Sequence, residues 1–390
     1  MAIRLPPLPS WSAAGIATFV GFGGTIPLVI QALTNVGATV EQAGSGVTVL
    51  CLGIALAGAA LSFRYRIPVV LAWSTPGAAL LAASTTHLSW AAATAVFAAA
   101  GIMMIVVGVT PLFGRLIARL PAAVASAMLA GVLLPFCLNL FRLSATHPVL
   151  IGGLLVVFLA ARRKVPLYSL ILVLGTAIAW TGLRGELHAP PPGAIFGTLL
   201  PEMPRADIST LISLSLPLFL VTLVSQNLPG LVVLRSAGYE PPAGPLIATT
   251  GLATLLAAPF GAHGVNLAAI TASLCTSQDA HPDAGRRWLV AVIYAGLYLA
   301  LALFAPALVR MFVSLPPAVI AAVTGLALIA PLISALETSL STPDERDAAI
   351  VTFLATGSGV VFLGLGSAFW GLVAGGVALT MKRLLPRPAS

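Results

Sequence analysis

Apolar runs long enough to cross a bilayer follow one another along this 390-residue chain with little between them, and that succession restricts the fold more than any single motif. A helix needs about 20 consecutive apolar residues to cross the hydrocarbon core. Such runs fall near 11–33, 43–62, 68–84, 90–110, 122–140, 147–161 and 167–182, and again near 211–233, 245–258, 262–276, 288–307, 316–336, 348–363 and 367–381. With 8% of its residues charged and 59% hydrophobic, the chain has too little polar surface to clothe a soluble domain, where about 25% charged is usual. An outer-membrane barrel would alternate in short segments instead. The sequence reads as an all-α polytopic membrane protein of about fourteen spans, with twelve as the other count.

Placement of the basic residues argues for fourteen. With the N-terminus in the cytoplasm, fourteen spans put Arg64, Arg66, Arg162, Arg163, Lys164, Arg235, Arg286, Arg287, Arg346, Lys382 and Arg383 inside, along with Arg4, Arg115, Arg119 and Arg387. Only Arg142, Arg184, Arg205 and Arg310 are left outside. That is the positive-inside bias, and it puts both termini in the cytoplasm. The net charge of +8 is therefore a topology signal, and no nucleic-acid partner is expected. Cys51, Cys137 and Cys275 each lie within an apolar run and read as packing residues. The first run lacks a short apolar core followed by a small-residue cleavage site, so it is expected to remain as a span.

An internal repeat divides the chain. Pro111, Arg115, Leu120, Pro121 and Val124 recur as Pro306, Arg310, Leu315, Pro316 and Val319, each pair 195 residues apart. Seven spans per half is odd, so the second copy lies inverted, an architecture typical of transporters. The expected organisation is 1–182 as the first repeat, 183–209 as a polar, Pro-rich linker, and 210–390 as the second repeat.

The third segment of each half breaks the helical pattern. In the first, Pro76 has no N–H for a helix interior but fits the first turn of a new helix capped by Ser74 or Thr75, after an extended stretch. In the second, Gly261 and Gly264 precede Asn266, which is expected to cap a short helix. Unwound backbone at membrane depth survives only where protein buries it or it lines a polar cavity. Two half-helices starting there would each direct roughly half a positive charge and free N–H groups at a bound anion; an ordinary kink and an interhelical loop are the alternatives. In an otherwise apolar run, Ser225, Gln226 and Asn227 need partners, from a ligand or a facing helix. Gly21, Gly23, Gly24 and Thr25 would admit a ligand or a neighbouring helix equally. Hydrolase, metalloprotease, Walker and dinucleotide motifs are absent, so no cofactor is expected, and neither is enzyme activity. Asp279, His281 and Asp283 beside Arg286 and Arg287 read as loop residues, not a metal site.

Several stretches together resemble the benzoate/proton symporter (BenE) family: Trp73-Ser-Thr-Pro-Gly-Ala-Ala-Leu-Leu81, Ser225-Gln-Asn-Leu-Pro-Gly230, Ala268-Ala-Ile-Thr-Ala272, Glu345-Arg-Asp-Ala-Ala349 and Gly366-Ser-Ala-Phe-Trp-Gly371. The resemblance implies the seven-plus-seven inverted-repeat fold of the uracil permease type, with a core domain (spans 1–4 and 8–11) moving against a gate domain (spans 5–7 and 12–14). It further implies import of benzoate or a related aromatic carboxylate with a proton across the inner membrane. By position, the substrate site would comprise Ser74, Thr75, Gly77, Gln226, Asn227, Val265, Asn266 and Leu267. Nucleobase relatives carry membrane carboxylates where this chain has Gln226 and Asn227, which suits an anionic substrate because a fixed carboxylate would repel it. His263 is the candidate for proton coupling, with Glu337 and Asp347 as alternatives. A nucleobase symporter of the same fold and a passive organic-anion channel are the competing functions. A homodimer is compatible with the resemblance.

Overall fold

The computed structural model describes residues 6–84, 88–110, 122–363 and 365–384. The first copy of the repeat motif, from Pro111 through Pro121, lies outside the described residues, as do Arg4, Arg115, Arg119 and Arg387. The chain is almost wholly helical: α1 (Leu8–Gly23), α2 (Ile26–Asn35), α3 (Val40–Tyr65), strand β1 (Leu71–Trp73), α4 (Thr75–Ala82), α5 (Trp90–Val109), α6 (Ala122–Arg142), α7 (Pro148–Lys164) and α8 (Ser169–Leu183). The second half runs α9 (Ile208–Ser236), α10 (Ala243–Ala257), β2 (Val265–Leu267), α11 (Ile270–Thr276), α12 (Trp288–Val313), α13 (Pro317–Leu340), α14 (Arg346–Gly357) and α15 (Ser367–Leu384).

Nine helical stretches among the described residues are long and apolar enough to cross a membrane, which makes this a polytopic membrane protein. Of the five other segments expected from the sequence, α15 has the length but carries Lys382 and Arg383 in its last turn, and four are too short. Those at 71–82 and 265–276 are each a strand followed by a short helix, while α7 has 17 residues and α14 only 12. At about 1.5 Å per residue, α14 is roughly 18 Å long, well under the ~30 Å hydrocarbon thickness.

The first apolar run, expected as one span, is two helices. Pro27 leaves a helix carbonyl without its donor, and the chain breaks at Gly24 and Thr25. A Cβ on Gly24 would lie 3.1 Å from Leu170 Cδ1, so the break also permits close approach to α8. α9 departs from regular geometry at two π-helical stretches, Leu211–Ser215 and Leu223–Asn227. The second coincides with Ser225, Gln226 and Asn227, and such one-turn widenings re-aim side chains.

Residues 184–207 form no helix, as their polarity and prolines predict, but they do more than link the halves. They lie as a strap against α3, α5, α12 and the turn that follows α10. Arg310 of α12 donates to the carbonyls of Pro191 (3.0 Å) and Ala194 (2.7 Å). The N–H groups of Gly197, Leu200, Glu202 and Arg205 donate to Leu303 O, Ser45 Oγ, Pro259 O and Ala91 O respectively. In the loop that follows α11, Asp283 caps a single turn through the Gly285 N–H (2.8 Å), and buried Arg287 donates to His281 O (2.9 Å) and Thr276 O (3.0 Å). Among the described residues no cluster fit for a metal forms. The three cysteines are free and buried, as packing residues should be.

Candidate functional site

The two interrupted segments meet through their strands. β1 and β2 pair antiparallel, Leu71 opposite Leu267, Ala72 opposite Asn266 and Trp73 opposite Val265. The ladder continues through Ser74 N–H to Gly264 O and Ala268 N–H to Val70 O, both 3.0 Å. A two-stranded ribbon has two open edges, and buried backbone groups without partners are costly. Side chains close these edges. Tyr294 donates to Leu71 O (3.0 Å), Asn227 Oδ1 accepts from Leu267 N–H (2.9 Å), and Thr254 Oγ1 accepts from Val265 N–H (2.9 Å). α9 reaches β2 because Gly230 carries no side chain; a Cβ there would stand 2.5 Å from Leu267 Cβ.

α4 starts as its sequence dictates. Ser74 is the N-cap, its Oγ accepting from Gly77 N–H (3.0 Å) and sharing a 2.7 Å hydrogen bond with Thr222 Oγ1 of α9. Pro76 contributes no donor, so that first turn keeps little to offer an anion, contrary to the expectation of free N–H groups. Gly77 is a packing position, since its Cβ would fall 2.7 Å from Leu218 Cδ1. α11 starts differently, and the expected cap is not there. Asn266 lies inside β2, four residues before Ile270, and the cap position is Ala269, with no side-chain bond. Pairing with β1 holds Asn266 extended, so its local capping preference is overridden. Among the described residues nothing accepts from the N–H groups of residues 269–272.

The candidate residues therefore divide in two. Ser74, Gly77, Asn227, Val265 and Leu267 are buried and committed to the protein's own bonds, and Asn227 also donates to Met104 Sδ (3.5 Å). Spare capacity resides in Thr75, half-buried with no hydrogen bond from its hydroxyl, and in Gln226, half-buried, whose Oε1 accepts only a long 3.4 Å bond from Asn266 Nδ2. Asn266 gives its Nδ2 to Leu267 O (2.8 Å) and keeps a buried Oδ1 without a partner. Ile270, at the start of α11, is 68% exposed. His263 lies beside the crossing, 1% exposed, its ring edge-on to Phe97. Since Ser74 O only accepts, Nε2–H donates to it (3.0 Å), and Nδ1 has no partner. Glu337 and Asp347 belong to α13 and α14, away from the crossing.

Thr222, Thr254 and Tyr294 escaped sequence reasoning. Hydroxyls in apolar helices usually turn back on a carbonyl one turn earlier, so only the ribbon's open edges, for Thr254 and Tyr294, and the cap of α4, for Thr222, reveal their role. Of the glycines of the first run, Gly21 meets a neighbouring helix, since a Cβ there would stand 3.1 Å from Tyr298 Oη. Thr25 Oγ1 accepts from the Trp73 indole (2.8 Å).

The transmembrane domain of a cyanobacterium bicarbonate transporter, BicA, superposes with a TM-score of 0.58 at 15% identity, over 97% of this chain and 96% of that one. The protein is thus a polytopic helical membrane protein that shares the fold of that domain. A family model, BenE, described as benzoate membrane transport protein, matches residues 7–381. Inner membrane protein YdcO of Escherichia coli (strain K12) is 40% identical over 383 residues, 98% of this chain and 97% of that protein. The benzoate membrane transport protein of Acinetobacter baylyi is 35% identical over 368 residues, 94% of this chain and 93% of that one. The chain belongs to the BenE family of membrane transport proteins and is a transporter, not an enzyme.

Proposed function

We propose that the protein imports benzoate or a related aromatic monocarboxylate together with a proton across a bacterial inner membrane, both its termini lying in the cytoplasm, by alternating access of a core domain against a gate domain. Spacing supports a seven-plus-seven inverted repeat of 1–182 and 210–390 joined by 183–209. β1 and β2 begin 194 residues apart, α4 and α11 begin 195 apart, and so do α6 and α13. The observation that carries the substrate reading is the set of unspent polar groups at the crossing: the Thr75 hydroxyl, the Gln226 amide and the N–H groups opening α11, with no carboxylate among them. Donors without a fixed negative charge recognise an anion. Membership of the family, and the printed function of the Acinetobacter baylyi relative, narrow that anion to benzoate or its kin.

Proton coupling is assigned to His263. Its free Nδ1 is a buried acceptor directly under the cap of α4, and a proton taken there is a charge that a bound carboxylate balances. In proteoliposomes, benzoate should accumulate when the outside is acid and drain on addition of an uncoupler. Accumulation indifferent to the proton gradient would favour the channel, and competition by uracil but not benzoate would favour the nucleobase reading. His263→Gln should abolish proton-driven accumulation while keeping benzoate exchange; an unaltered pH profile removes His263 from the role.

A further inference from the structure

α4 and α11 begin 195 residues apart, and so do α6 and α13, so the surroundings of the two short helices can be matched helix for helix. α4 is enclosed on three sides, by α2, by the first half of α9 and by α6. α11 has the counterparts of the first two, packing on the second half of α9 and on α1. The third is missing. α13, the counterpart of α6, packs on α2, α6 and α8 but is not among the helices that pack on α11. Side chains on the uncovered side register the difference. Ala78 of α4 is fully buried, whereas Ser273, which matches it in the second half, is exposed. Thr75 is half-buried, whereas its match Ile270 is 68% exposed, although Thr271, Ala272, Cys275 and Thr276 of the same helix are buried. An apolar side chain bared to lipid needs no explanation. Ile270 differs, because the matching side of α4 is turned to α6 and not to lipid. It also heads the helix that follows Asn266, whose buried Oδ1 has no partner and whose Nδ2 reaches Gln226 (3.4 Å).

We infer that Ile270 is the specificity-determining residue of the transporter: its side chain receives the aromatic ring of the substrate, on the wall of a vestibule formed by the uncovered side of α11. Donors alone grip any carboxylate. Discrimination between an aromatic acid and a smaller one requires apolar surface beside those donors, and each methylene-sized contact taken out of water is worth about fourfold in Kd. The repeat supplies both requirements from one position, a hydroxyl at Thr75 and an aliphatic side chain at Ile270. From the crossing, α11 runs toward the loop of Arg286 and Arg287, which the proposed topology places in the cytoplasm, so the vestibule opens on the side where an imported substrate leaves. The inference rests on the substrate class proposed above and assigns the residue that reads it.

Ile270→Ala shortens the ring wall. The Kd for benzoate should rise about tenfold, with the unfolding midpoint in detergent held. Measured against benzoate, the Kd of at least one monomethyl benzoate should improve several-fold in the same variant, because its methyl group refills the space. An unchanged Kd, or an equal loss for benzoate and all its monomethyl derivatives, overturns the proposal, since a residue that acts only on the fold weakens every acid alike. Because the native cysteines are buried, Ile270→Cys introduces one reactive thiol. A membrane-impermeant maleimide should label it in inverted membrane vesicles, and benzoate at about ten times its Kd should slow that labelling about tenfold. A side chain facing lipid gives no labelling, and either that result or labelling without protection overturns the proposal. Wild-type protein that binds no benzoate refutes the substrate reading itself. Failure of this inference alone leaves wild-type binding intact and the Ile270 variants indistinguishable from it.

Discussion

α4 and α11 begin on either side of the same two-stranded ribbon, yet their first turns are finished in opposite ways. α4 is sealed: Ser74 caps Gly77, Pro76 has no donor, and the cap is bonded to Thr222 of α9. α11 is open, with a bare Ala269 at the cap and free amides behind it. A seven-residue helix has little macrodipole of its own, so those amides matter as direct donors more than as the end of a long dipole. The sealed side fixes where the crossing sits, and the open side, with Gln226, is the one proposed to meet the ligand. Symmetry of topology has not become symmetry of chemistry.

The sharpest way to break this division is to remove a residue assigned to structure. Asn227→Leu leaves the Leu267 N–H buried without an acceptor, which costs about 1–3 kcal/mol, and should lower the unfolding midpoint in detergent markedly. If stability is unchanged and only benzoate affinity falls, Asn227 belongs to the ligand after all. Next in size, Gln226→Ala should weaken benzoate binding by roughly 1.5–3 kcal/mol, the value of a hydrogen bond to a charged group, with the unfolding midpoint held; equilibrium titration reads it. The smallest effect is expected from Ser74→Ala, about 1 kcal/mol of stability for the lost cap. A gain in anion affinity in that variant, from the Gly77 N–H it releases, would show that capping is all that keeps α4 out of the site.

The sequence exposed those parts of this arrangement that depend on local chemistry. Pro76 behind Ser74 announces a helix start because a missing N–H and a short hydroxyl side chain act on their own turn. Asn266 carries the same signal and misleads, because pairing with β1, some 195 residues away, holds it extended. The repeat spacing was the better guide: Thr75 shifted by 195 is Ile270, where α11 starts. Gln226 and Asn227 were visible as amides in an apolar run, but their division of labour was not, since it depends on a π-helical widening that turns one toward β2 and leaves the other half-exposed. The strap over 184–207 was legible as polar and non-helical. Its attachments to Ser45, Ala91 and Pro259 were hidden, because a backbone N–H has the same sequence signature everywhere.

Those attachments give the connection a length that can be reckoned. It leaves α8 through a turn in which the Glu186 N–H is held by Thr181 O, and it is pinned again at Pro191 by Arg310. Between these moorings the slack is five residue steps, at most ~17 Å when drawn straight. Under the proposed motion of core against gate, α8 is on a leash of that reach to α12, and trimming or stiffening it is a direct handle on the stroke.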